Sequence, residues 1–177
     1  NSLTSVIGTD DEKEQGGFDL DDHRIKYGLI GFHGLVDEHG AEDTNLKTED
    51  IEQLDSACWR AIKNQTITRS KVGQEPRLYV RVEYDTDSFH IGGLTHELDV
   101  VGDDEDARSY RTVQDVTVDA TDLVTRLKSH EDRIHTVHVV ADDALDIALD
   151  GETLDDGFVS VLKDRFESVN EIDVYDH

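Results

Sequence analysis

A chain of 177 residues, 36% of them hydrophobic, is long enough for one globular domain with its own core and gives no reason to expect two. Its formal net charge of −25, a lone Cys58 and the lack of any apolar run near 18 residues exclude an intrachain disulfide and a membrane-spanning helix. The expected class is a soluble cytoplasmic protein.

The 42 acids run from Asp10 to Asp176 and do not form one tail. With 28 Asp and 14 Glu against 10 Arg and 7 Lys, the balance resembles that of haloarchaeal cytoplasmic proteins, in which carboxylates hold hydration water and high salt screens their repulsion. The charge therefore belongs to the solvent more than to a partner.

In chain order, residues 1–22 mix small, acidic and Gly residues without a period of 2 or 3.6, and are expected to form a flexible arm or loop. Residues 23–177 are expected to form a single α+β domain. The absence of Met and the polar start at Asn1 suggest a piece of a longer chain. "HRIKYGLIGFHGLV", 23–36, predicts a strand buried on parts of both faces, with bends at Gly28, Gly31 and Gly34. "TEDIEQLDSACWRAIKNQ" predicts a helix with Thr48 as N-cap and Ile51, Leu54, Cys58, Ala61 and Ile62 on the buried face. Trp59 falls at the border of that stripe, and Arg60 and Lys63 lie away from it.

"RLYVRVEY", 77–84, alternates cleanly, with Leu78, Val80, Val82 and Tyr84 on one face and Arg77, Tyr79, Arg81 and Glu83 on the other. Further strands are expected near 88–92, 94–101 and 111–118, with the acidic turn "GDDEDA" before the last. "DATDLVTRLKSH" then predicts a helix, "IHTVHVV" a strand, "DDGFVSVLKDRF" a helix and "EIDVY" a final strand. This order implies an α+β fold: an antiparallel or mixed sheet with helices on one side, compatible with a ferredoxin-like or RRM-like sheet.

Catalytic and metal chemistry find little support. Nine His residues occur without H-E-x-x-H, a Cys cluster or a calcium loop, and His135 and His138 would point to opposite faces of a strand. Cys58 lies on the apolar helix stripe, where a small buried hydrophobe is the ordinary role. In so acidic a chain a pair of carboxylates carries no weight. The expectation is a non-enzyme without metal or cofactor.

One stretch departs from the rest. Residues 60–81, "RAIKNQTITRSKVGQEPRLYVR", hold Arg60, Lys63, Arg69, Lys71, Arg77 and Arg81 against a single acid, Glu75. Random placement would give such a window about five acids and two bases, so carboxylates are excluded there. One explanation is pairing of these cations with acids elsewhere in the fold; the other is a phosphate-backbone site. For the latter, Lys63, Arg69, Lys71 and Arg77 can bind phosphate oxygens, Asn64, Ser70 and Gln74 can hydrogen-bond sugar or base edges, and Gly73 allows close backbone approach.

Over "KNQTITRSKVGQEPRLYVRVEY", 63–84, the chain resembles the backbone subunit of Cascade, the type I CRISPR surveillance complex, in the subtype I-B branch of the RAMP superfamily. Upstream, 23–64 is similar to that family's strand, "FHG" turn and following helix. "ACWRAIKN" stands where the family has a variant of "ALWNGTKN": the Trp-x-x-x-Lys-Asn spacing is kept, while Arg60 and Ala61 replace Asn-Gly. Roughly residues 20–85 carry the resemblance, and residues 100–177 agree only in the order of elements.

The resemblance implies the C-terminal half of an RRM-like RAMP fold. It implies a structural subunit that lines a CRISPR RNA, with neighbouring copies of itself and other Cascade subunits as partners and target DNA reached through the guide. The alternative is an interaction protein or inhibitor that resembles this half without holding RNA. A metal-dependent RNase, as among distant RAMP relatives, has no matching residues.

The charge yields a first prediction. Carboxylate repulsion in dilute buffer should lower stability, and screening over about 3 Å at 1 M salt should restore it. Thermal melts between about 0.1 and 3 M KCl should show a rising midpoint; a midpoint indifferent to KCl would remove the halophilic reading.

Overall fold

The computed structural model describes residues 27–65, 73–102 and 109–174, and the backbone of 3–7 and 14–18. In chain order the described elements are β1 (Leu3–Ile7), β2 (Glu14–Phe18), α1 (Glu38–Thr44), α2 (Thr48–Lys63), β3 (Leu78–Tyr84), β4 (Asp99–Gly102), β5 (Val116–Asp119), α3 (Thr121–Lys128), β6 (Ile134–Ala141), β7 (Asp146–Leu149), β8 (Glu152–Thr153), α4 (Phe158–Arg165) and β9 (Val169–Glu171).

The alternation of β3 has the predicted consequence. Leu78, Val80, Val82 and Tyr84 pack into the main core, which sends Tyr79 and Arg81 to the other face. β3 pairs antiparallel with β6, Val80 opposite Val139 and Val82 opposite Val137, and β6 pairs parallel with β9, giving the order β3-β6-β9. A second sheet has the order β4-β5-β7-β8, with β5 and β7 parallel and the outer pairs antiparallel.

Between the two sheets lies the main core. Val118, Ile147 and Leu149 from one sheet and Val137 and Val139 from the other meet Leu123 and Leu127 of α3 and Phe158 and Leu162 of α4. Leu127, Leu162, Val137 and Val139 are fully enclosed. Helix α2 lies across the opposite face of β3-β6-β9, where Trp59 packs with Val140, Ile172, Val174 and Tyr79. The α+β class and mixed pairing are as the sequence implies, with α2 on the far side of the sheet from α3 and α4.

Several element boundaries differ from expectation. Residues 27–37 form no strand, although 23–36 was expected to be one; residues 23–26 lie outside the described part. A Gly at every third position weakens a strand, and the apolar residues come as neighbours, Leu29–Ile30 and Leu35–Val36, so that no face is consistently apolar. Ile30 and Phe32 are 61% and 70% exposed. Within residues 1–22, read as an arm or loop, β1 and β2 pair as an antiparallel hairpin, Leu3 opposite Phe18. β-branched residues in "LTSVI" suit a strand that short.

Residues 88–92 also form no strand. Ser88 takes a positive φ of 60°, the Ile91 amide donates to the Tyr84 hydroxyl at 3.0 Å, and Gly93 at φ 72° leads into a 3-10 turn over Leu94–Glu97. Strand pairing begins only at Asp99, and from the other side at Val116, after a 3-10 turn capped by Thr112. The acidic turn "GDDEDA" falls largely outside the described residues. The last strand is β9, two residues earlier than "EIDVY"; Ile172 and Val174 follow it and are buried against Trp59. Helix α1 and strands β7 and β8 were not anticipated.

Candidate nucleic-acid interface

Helix α2 begins after Lys47, one residue earlier than the expected cap, where the Asp50 carboxylate accepts the Lys47 amide at 2.8 Å. Its C-cap is Asn64, whose amide donates to the Arg60 carbonyl at 2.9 Å. Arg60 and Lys63 sit in the last turn, where the helix dipole favours cations. Both are exposed, and Arg60 folds back to donate to the Ser56 carbonyl and hydroxyl.

The face by which α2 attaches is rotated from the expected apolar stripe. Ile51, Cys58 and Ile62 of that stripe are half-buried, Leu54 and Ala61 are exposed, and Asp55 and Trp59, one turn apart, are enclosed at 3% and 2% exposure. Burial, then the Asp55 charge, pushes the Cys58 thiol up, away from a reactive thiolate.

Among the described residues Asp55 is the one buried charged side chain, and strand β3 supplies its partners. Arg81 grips it with two bonds, Nε to Oδ1 at 2.7 Å and Nη2 to Oδ2 at 2.8 Å, and the Tyr79 hydroxyl donates to Oδ1 at 2.8 Å. Burial, reinforced by the hydrogen bond to Asp55, raises the Tyr79 phenol far above its ordinary range, so it stays a donor. Burial opposes the Arg81 charge, but the bonds to Asp55 outweigh it and its pKa rises. Arg81 also lies 3.6 Å from Glu83, which shares His138 across the strand pair at 2.9 Å.

Nothing in the sequence singled out Asp55. The available signal was an acid four residues before Trp59 facing a strand that carries Tyr and Arg two apart on its outward side.

The segment between α2 and β3 carries the predicted site, and its two ends are fixed. Lys63 and Asn64 stand at the first. At the second, Gly73 takes a φ of +91°, Gln74 is half-buried, and Arg77 is held by Glu75 and by Asp142, 3.1 Å away. The Asp142 amide also donates to the Arg77 carbonyl at 2.8 Å, tying this end to the end of β6. Arg69, Ser70 and Lys71 lie outside the described residues. Of the six cations in the stretch, Arg77 and Arg81 thus pair with acids of the fold. For these two the first explanation, pairing with acids of the fold, holds.

The family model for CRISPR-associated protein Cas7 matches residues 1–121, which include α2, the basic segment and β3. The chain belongs to the Cas7 family. A curated CRISPR-associated protein Cas7 of Haloferax volcanii, a haloarchaeon, is 55% identical over 175 residues, 98% of this chain. The match takes in 51% of that relative, so the chain spans about half its length. The resemblance traced from residues 20–85 thereby extends to α3, α4 and the second sheet, where no motif marked it. Among the described residues no helix is long and apolar enough to cross a membrane.

Substitution of Asp55 tests this cluster. Asp55→Ala leaves the half-buried Arg81 guanidinium with only the Glu83 carboxylate 3.6 Å away, and the complete protein should lose about 2 kcal/mol of stability or more in high-salt melts. A loss below about 1 kcal/mol would mean that water or Glu83 replaces the carboxylate.

Proposed function

We propose that this chain is the part of a Cascade backbone subunit that holds the sugar-phosphate backbone of a CRISPR RNA on the segment between α2 and β3, and that it is not an enzyme. The observation that carries the reading is the basic segment itself: carboxylates are nearly absent from 60–81 in a chain of net charge −25, and this segment lies inside the family match. A guide must leave its bases free for pairing, so its holder needs backbone contacts without sequence readout. Lys63, Arg69 and Lys71 supply phosphate donors, Asn64, Ser70 and Gln74 supply neutral donors, and Gly73 admits the RNA close to the main chain. Arg77 serves chiefly to fix the segment, because two carboxylates already engage it.

Work in concentrated salt strengthens the case for short contacts. Long-range attraction is screened and counterion release yields less, so affinity rests on charge-assisted hydrogen bonds. The partners in this reading are the CRISPR RNA, neighbouring copies and other subunits of the complex, with target DNA reached through the guide, in the cytoplasm.

The test uses the complete subunit assembled with guides of unrelated spacer sequence at fixed high salt. Lys63→Ala, Arg69→Ala and Lys71→Ala should each weaken binding by similar factors for every spacer, on the order of 1 kcal/mol for a lost charge-assisted bond. Lys163→Ala, on α4 and paired with Glu171, should do little. Wild-type binding by all three variants would sink the site, and spacer-dependent losses would indicate base readout. A protein that joins the complex yet carries no RNA of uniform length would instead be a binding partner or blocker.

A further inference from the structure

We infer that Asp55 is a positioning residue for the RNA interface: through Arg81 and Tyr79 it fixes the tilt and axial position of α2, and so where Lys63 and Asn64 stand relative to the Arg77 end of the basic segment. The inference rests on the RNA-binding reading above.

The geometry separates two kinds of attachment. The apolar contact of α2 is small, Trp59 against Val140, Ile172, Val174 and Tyr79, and apolar contact sets proximity more than direction. The Asp55 cluster is directional: both carboxylate oxygens are engaged, one by Arg81 Nη2 and the other by Arg81 Nε and the Tyr79 hydroxyl, all at 2.7–2.8 Å. The bonds join the middle of α2 to β3, the two elements that bracket the basic segment, while Arg77 locks the strand end onto β6 through Asp142.

Distance makes the bond matter at the helix end. Eight residues separate Asp55 from Lys63, about 12 Å of helix, so a tilt of about 10° about Asp55 displaces Lys63 by about 2 Å. That exceeds the range between a good hydrogen bond and none. A buried ion pair is also screened far less by salt than an exposed one, so it holds the helix at salt concentrations that screen surface attraction. An apolar pair at these positions would serve stability as well or better, which leaves placement as what the charges add.

The experiment uses the complete subunit assembled with guide RNA. The Asp55→Leu/Arg81→Leu double variant removes both charges together, so neither is stranded, and should melt within about 5 °C of wild type. Its affinity for guides of unrelated sequence should fall about ten-fold, and the salt dependence of binding should lose about 0.7 in slope for each phosphate contact that slips. Tyr79→Phe keeps the ring in the apolar cluster, loses one bond to Asp55, and should weaken binding about two-fold or more.

Wild-type affinity and slope in the double variant would make the pair merely structural and overturn the inference. If the double variant fails to fold, Tyr79→Phe decides: unchanged affinity overturns the inference and a uniform loss at unchanged melting supports it. Arg69→Ala and Lys71→Ala in the same assay distinguish the two levels. If these lose affinity and the double variant does not, positioning alone fails; if these also bind as wild type, the RNA reading fails and the inference falls with it.

Discussion

Taking a carboxylate out of water costs several kcal/mol unless other bonds replace its hydration, and three donated hydrogen bonds from β3 do this for Asp55. Much of the architecture around the basic segment follows from that requirement. Asp55 can be buried only where Arg81 and Tyr79 stand, which fixes how α2 lies on the sheet. Helix α2 in turn decides which sheet face is covered: Trp59 closes a second, smaller core with Val140, Ile172 and Val174, while the main core fills the other face. The two ends of the basic segment are then tied to the same sheet.

Electrostatics act in this protein on two scales. Acids spread along the whole sequence repel each other, and salt within a few ångströms weakens that repulsion. Buried and half-buried pairs, Asp55 with Arg81 and Asp142 with Arg77, are shielded from the same screening. A protein so built keeps its internal geometry in solvent that cancels most of its surface field. Residues 60–81 are the exception in composition, and Arg77 and Arg81 among them pair with acids of the fold.

The sequence was legible where pattern and packing coincide. Strand β3, helix α3 with Leu123, Val124 and Leu127 inward and α4 emerge from periodicity because each presents an apolar face to the main core, while β6 shows as an apolar run that feeds both cores. Helix α2 was legible as a helix but only partly in its orientation. Its apolar residues at 54 and 61 outweigh an acid in any hydrophobic pattern, and the partners that bury Asp55 are 24 and 26 residues away in sequence. Residues 29–36 misled for the opposite reason, since apolar content suggested burial while the glycine spacing withheld a regular strand. Strands β7 and β8 were hidden by the acids and the Asp150–Gly151 turn, both residues at positive φ, that interrupt their short apolar run. Of the candidate site, the basic segment with Lys63 and Asn64 is proposed from composition and spacing alone. The fixing of its two ends was not, because it depends on Asp55 and Asp142, two acids among 42.

The central claim is that guide RNA lies on the segment bracketed by α2 and β3. Hydrogen exchange of the complete subunit in high salt, with and without guide RNA, tests it most directly. Amides of 60–77 should gain protection when the guide binds, while those of α3, enclosed in the main core, should stay unchanged. Protection elsewhere with none across 60–77 would contradict the account.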